Sequence, residues 1–348
     1  MPNINEIDSD FFGKFSLLNN FVVPSSANKI CPSAFSKWKY LKKITIHSSV
    51  NEIGAYAFTE CSSLVNVIIP SSVSEICEFL FNGCSSLVYI KIPSSVSKIG
   101  KNAFSGCSSL LSIIIPSSVS EINEFTFSGC SSLINIEIHS SISKIGKNAF
   151  DGCSSLTKVI IPSSISEIDE FVFSGCSSLA KIEIPSSISK IGKGAFSGCS
   201  SLKRIEIPSS VNEIGGFAFD GCKSLTNLTI PRISSINDYM FRHCFSLTEI
   251  AIPDSVTFIG EAAFTGCKFL KNIIIPPSVV KIQPHAFSYC PLLDKSKLLD
   301  WDLEIFKSPR PSDIGAKPLV AIDISGYISH DSLYFNTVKR IIYQYNIS

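Results

Sequence analysis

Thirteen cysteines and five histidines are the residues of this 348-residue sequence whose chemistry goes beyond packing. Thiolates attack electrophiles or bind metals, and imidazoles move protons near neutral pH. Spacing decides among these uses. Eleven of the cysteines (Cys61, Cys84, Cys107, Cys130, Cys153, Cys176, Cys199, Cys222, Cys244, Cys267 and Cys290) recur every 23 residues, with one step of 22. A nucleophile is needed once, so a position filled at a constant step belongs to a repeated architecture, and a buried ladder of thiols is expected. Neighbours about 5 Å apart at Cα, with parallel Cβ vectors, suit packing better than disulfides. Cys31 and Cys77 fall in another column, usually glycine, two repeats and roughly 10 Å apart, too far to bridge.

The remaining chemical candidates weaken in the same way. His243 beside Cys244 suggests a nucleophile with its base, but Cys244 belongs to the ladder and adjacent turn residues rarely face each other. His47 and His139 both replace a proline four repeats apart, roughly 19 Å, which excludes one metal between them and leaves a polar substitution at a loop edge. No phosphate-binding glycine loop, zinc spacing or pair of catalytic carboxylates stands outside the repeat. A non-enzymatic chain without cofactor or metal is expected. Thirty basic against 29 acidic residues give a net charge of +1, no footprint for nucleic acid. Apolar runs such as Ile113 to Ile115 are cut by Pro-Ser-Ser, far short of the roughly 20 residues of a membrane helix, so no transmembrane span is expected. MPNINEIDSDFF shows no basic region followed by an apolar stretch, and export stays undecided.

What positions these residues is the period itself. Phenylalanine recurs at 12, 35, 58, 81, 104, 127, 150, 173, 196, 219, 241, 264 and 287, and the one step of 22 falls in IPRISSINDYMF. Leucine follows six residues after each Phe from Leu64 onward, then mostly Ile or Val three and five residues later. Alternation at Val67, Ile68 and Ile69 marks a short strand, one per coil. Strands recurring in one direction must pair in parallel, each coil returning through Pro-Ser-Ser. Twelve coils at about 4.8 Å give a stack roughly 58 Å long, in which only neighbouring coils bury each other's Phe, Leu and Ile.

The repeat, as in KIPSSVSKIGKNAFSGCSSLLSIIIPSSV from Lys91, resembles the BspA-like leucine-rich repeats from Phe12 to about Cys290. It departs from the commonest leucine-rich consensus by placing serine, as at Ser72 and Ser95, where asparagine is usual. The resemblance implies a repeat solenoid over residues 1–290. It also implies a cell-surface adhesin or surface antigen that binds host or matrix proteins, since members of the family are surface proteins of bacteria and single-celled parasites. An intracellular protein-protein interaction scaffold is the alternative. Beyond Cys290 the pattern fails at Ser296. KPLVAIDISGYI reads as a strand, and Val338, Ile341, Ile342 and Tyr345 have helical spacing, so 291–348 is expected to form a small α/β cap or tail. Ile4, Ile7 and Phe12 already occupy repeat columns, so an exposed first edge and self-association through it are expected.

Charges reveal a longer period. Six residues before the Phe the series Glu75, Lys98, Glu121, Lys144, Glu167, Lys190, Glu213 changes sign at each coil. Three before it, Glu78, Lys101, Glu124, Lys147, Glu170, Lys193 does the same. Two before it, Phe79, Asn102, Phe125, Asn148, Phe171 alternate. The true unit is two coils of 46 residues, and mutual neutralisation between coils sets the register.

A protein partner would sit on the outward strand side chains, because solenoids bind along the face lined by their strands. One outward column carries Ile68, Lys91, Ile114, Glu137, Ile160, Glu183 and Glu206; its neighbour carries Tyr89, Lys158, Lys181 and Arg204. This mixture of aliphatic, aromatic and charged groups suits a protein ligand. The competing reading is that isoleucine merely favours strands.

Overall fold

The structure, a computed structural model, describes residues 5–294 and Leu298. Each regular coil contributes the expected three-residue strand, as at Asn66–Ile68. It also contributes a two-residue strand, as at Glu75–Ile76, too short for alternation to announce. Both kinds pair in parallel with their counterparts in the next coil. In the three-residue strands the middle side chain is buried and the two flanking ones are exposed. Proline then ends the strand because it has no N–H for the ladder, and its carbonyl takes the N–H of the third residue on, as Val73 N to Pro70 O at 3.1 Å.

The core is a column of phenylalanines from Phe35 to Phe287, rings stacked 5.3 to 5.7 Å apart and within 15° of parallel. Translation by one coil keeps the rings parallel, and centroids this far apart are those of offset stacking, which aromatic pairs favour over a face-to-face sandwich. The eleven ladder cysteines are buried beside it. Each thiol donates to the carbonyl of the preceding coil's Phe, as Cys130 Sγ to Phe104 O at 3.2 Å, a bond the spacing did not foretell. Serine does the work of the missing asparagine: the Ser95 hydroxyl donates to Val73 O at 2.7 Å, and Ser72 makes the same bond to Val50 O.

The two-coil unit has a backbone cause. Gly100 N–H bonds Ile76 O at 2.7 Å, and a Cβ on Gly100 would lie 2.4 Å from Glu78 N, so this coil sits tight on the one before. One coil later the column holds Asn123, whose side-chain Nδ2 bonds Ile99 O at 2.7 Å in place of that contact. The two-residue strands accordingly pair Glu75 with Lys98 and Glu121 with Lys144, as separate two-stranded sheets. The three-residue strands are offset by one coil. Asn66–Ile68 pairs in full with Tyr89–Lys91, and Ser112–Ile114 with Asn135–Glu137, while Tyr89 and Ser112 join these pairs through one residue. Between the coils of Phe35 and Phe173 each coil is thus held to one neighbour mainly by its long strand and to the other mainly by its short one, whereas the steps from Phe12 to Phe35, Phe173 to Phe196 and Phe241 to Phe264 are paired through both.

The alternating charges follow this stagger. Lys98 Nζ meets Glu75 Oε1 at 2.7 Å within a short-strand pair. Lys101 meets Glu124 at 3.0 Å and Lys147 meets Glu170 at 3.2 Å between pairs.

Two coils depart from the rule. In the first, Ser9–Phe12 is helical and Gly13–Phe15 is a 3-10 turn. Phe12 there meets Phe21 edge-on at 5.6 Å, and Leu18, in the leucine column, is exposed. The turn of the 22-residue coil is one residue shorter, with Pro231-Arg232-Ile233 in place of Pro-Ser-Ser-Val, so Ile233 N now bonds Pro231 O, two residues back, at 2.9 Å. Among the described residues no strand pairing of either kind crosses from the coil of Phe219 to that of Phe241. Turn-side contacts bridge the step: Arg242 holds Asp220 through two bonds of 3.0 and 2.6 Å, and Phe217 stacks on Tyr239 at 4.6 Å. The expected cap over 291–348 lies, apart from its first four residues and Leu298, outside the described residues.

Candidate functional site

The three-residue strands from Asn20–Val22 to Arg204–Glu206 form one nine-stranded parallel sheet, and their outward side chains make a continuous face. All eleven residues expected on that face are exposed on it. Ile68, Ile114 and Ile160 show 73%, 75% and 59% of their surface to solvent, values far from what a strand-stabilising aliphatic group in a core would show. Tyr89 is half exposed beside Ile68, since register puts Asn66 opposite Tyr89 and Ile68 opposite Lys91.

Sequence reasoning missed one column of this face. Val65, Val88, Leu111 and Ile134, one residue before each strand, are all exposed. They are stacked by backbone bonds from Val88 N to Val65 O, Leu111 N to Val88 O and Ile134 N to Leu111 O. Four aliphatic residues in a row at one column, followed by Thr157, Ala180 and Lys203, were the available signal. With Ile68 and Ile114 they make the stretch from Val65 to Ile134 rich in aliphatic groups, with Lys91 and Glu137 standing between the isoleucines.

The second half is charged. Lys158 lies opposite Lys181 and Lys181 opposite Arg204, while Glu183 lies opposite Glu206. Neutralisation runs along each strand instead of between strands: Lys181 Nζ meets Glu183 Oε1 at 2.8 Å and Arg204 Nη2 meets Glu206 Oε1 at 2.9 Å. The hydrogen bond between them raises the Lys181 pKa and lowers that of Glu183.

The other chemical candidates are spent on structure. Burial pushes the Cys61 and Cys130 thiols up to about 12, so both stay protonated near neutral pH. Cys244 rises well above its ordinary value for the same reason, and its thiol donates to Phe219 O, which leaves no nucleophile for His243 to activate. His47 Nδ1 accepts the Ser49 N–H at 3.2 Å and His139 Nδ1 that of Ser141 at 3.1 Å, so each ring braces the turn where proline usually stands. The residue after the core Phe holds an aspartate in two coils. Burial pushes Asp151 up to about 6 despite a hydrogen bond from Ser174. Burial also raises Asp220, but its close neighbours His243, 3.7 Å away, and Arg242, bonded to it at 2.6 and 3.0 Å, outweigh it and hold the carboxyl below its usual range.

The family model described as BspA type leucine rich repeat region matches residues 5–133, 97–223 and 190–301. Among solved structures, a leucine-rich repeat protein from Bacteroides ovatus is 28% identical with a TM-score of 0.65, over 78% of this chain and 85% of that one. A leucine-rich cell surface protein from Faecalibacterium prausnitzii is 29% identical with a TM-score of 0.62, over 84% and 92% of the two chains. The pneumococcal vaccine antigen PcpA shares the fold at 18% identity and a TM-score of 0.50, over 84% and 72%. A search of curated proteins gave no match.

Proposed function

The chain belongs to the BspA-type leucine-rich repeat family, and from that premise we propose that it is a non-enzymatic cell-surface protein, an adhesin or surface antigen, that engages other proteins through the face of its three-residue strands. The observation that carries this reading is the exposure of Ile68, Ile114 and Ile160 together with the Val65 to Ile134 column, on a rigid paired sheet. The Val65 to Ile134 column is unbroken over four coils, and exposed apolar groups clustered in this way mark interaction surfaces. The surface location is supported by the cell surface protein of Faecalibacterium prausnitzii, which aligns over most of both chains.

Intact source cells treated with a membrane-impermeant label test the location. The chain is expected to be labelled before lysis; labelling only after lysis overturns the surface assignment and favours the intracellular scaffold. Binding of the purified chain to immobilised extracellular matrix proteins tests the face. It should be lost in the double variant Ile114→Glu, Ile160→Glu and kept in Ser97→Glu, beside the other sheet. Equal binding by both variants removes the face from the reading.

A further inference from the structure

The two halves of the strand-lined face differ in a way that names the chemistry of what lies on it. Like charges directly opposite across strands are destabilising. This chain avoids them on its two-residue strands, where Glu75 faces Lys98, Glu121 faces Lys144 and Lys190 faces Glu213. On the three-residue strands it stacks Lys158, Lys181 and Arg204 in one column, and Lys203 joins them one residue before Arg204. Glu183 and Glu206 answer Lys181 and Arg204, whereas Lys158 and Lys203 make no ion pair among the described residues. Four cations stand against two carboxylates, so this half carries excess positive charge at a cost in stability. Departures from local rules of this kind collect where a surface serves a ligand.

Resting on the reading of this face as the binding surface, we propose that its partner is an extended polypeptide segment laid along the coil axis, apolar where it follows the unbroken column Val65, Val88, Leu111 and Ile134, beside which the charges of Lys91 and Glu137 offset each other, and acidic where it crosses Lys158 to Arg204. From the strand of Ile68 to that of Arg204 there are six coil steps, about 29 Å, which about nine extended residues span. A uniformly anionic polymer fits poorly, because Glu183 and Glu206 lie among the cations and the adjoining half is rich in aliphatic groups. A second copy of the chain would set the same four cations against each other wherever the charged halves met.

The test uses the full chain and synthetic decapeptides with five apolar and five charged residues, made in both orders and with acidic or basic ends. Binding is read by fluorescence polarisation at 20 and 200 mM salt. The apolar-acidic peptide should bind best and weaken with salt. It should lose about tenfold in the double variant Lys158→Glu, Lys203→Glu, which in turn should prefer the apolar-basic peptide. Those substitutions relieve like-charge contact, so an unchanged melting curve shows that lost binding is not unfolding. Ile114→Glu should weaken every peptide whatever its charged end. If Ile114→Glu acts but acidic and basic ends bind alike, the partner chemistry is wrong and the face reading survives. If neither Ile114→Glu nor the lysine variant changes binding, or no peptide binds, both the inference and its support from this face fall. Tighter binding of a sulfated oligosaccharide, or a dimer abolished by Ile114→Glu, overturns the peptide in favour of those occupants.

Discussion

The long-strand and short-strand sides of this solenoid are built from the same coils and treat charge in opposite ways. On the short-strand side glutamate and lysine alternate, so that Lys98 meets Glu75 and Lys147 meets Glu170 in neighbouring coils. On the long-strand side lysine lies over lysine and glutamate over glutamate, and relief comes only within a strand. One surface is composed for the chain's own register. The other gives up such agreement and leaves aliphatic groups in water, the combination on which the proposed binding face rests.

The comparison is broken most decisively by truncating apolar groups on each side. Phe150→Ala in the stacked column should cost about 3 to 5 kcal/mol by chemical denaturation, whereas Ile114→Ser on the exposed face should stay within about 0.5 kcal/mol. Equal costs would mean that the face is part of the core. Gly100→Ala comes next, because its Cβ would press on the backbone of Glu78, and a loss of about 1 to 3 kcal/mol is expected. Hydrogen exchange should locate that loss at the pair Glu75–Ile76 and Lys98–Ile99.

A buried carboxylate that, among the described residues, meets a hydroxyl and no cation in the next coil extends the contrast. Asp151, raised to about 6 by burial, binds its proton more tightly folded than unfolded, so its ionised form subtracts stability above that pH and the penalty vanishes on acidification toward 4. Asp151→Ser, the residue of the coils on either side, should therefore stabilise by about 1 to 2 kcal/mol at pH 7.5 and by progressively less as pH falls. A gain independent of pH would refute this account. The smallest effect is a contrast of sign: Lys98→Glu should lower the melting temperature slightly, by a few tenths of a kcal/mol, while Lys158→Glu should leave it unchanged or raise it.

Much of this molecule could be read from sequence because a repeat multiplies every weak signal. The Phe, Leu and Cys columns give the fold, and charge reversal gives the two-coil unit. The reason for that unit was hidden, since nothing in a glycine alternating with Cys77, Asn123 or Asp169 says that backbones approach closely at one step and through a side-chain amide at the next. The face was legible in its two alternating columns, but Val65, Val88, Leu111 and Ile134 were missed because they precede the strand, where alternation no longer applies. The two-residue strands escaped for a related reason: a period cannot be recognised in two residues.

The missing residue before Phe241 has a mechanical consequence. At every other step between the coils of Phe12 and Phe287 at least one of the two strand ladders is paired, so tension along the axis always meets strand hydrogen bonds. At the step from Phe219 to Phe241 both ladders are interrupted together, and the load passes to the turn-side backbone bonds and the clasp of Asp220 with Arg242. Pulled along its axis, the chain is expected to part at this step, which leaves the strands from Asn20–Val22 to Arg204–Glu206 together on one fragment.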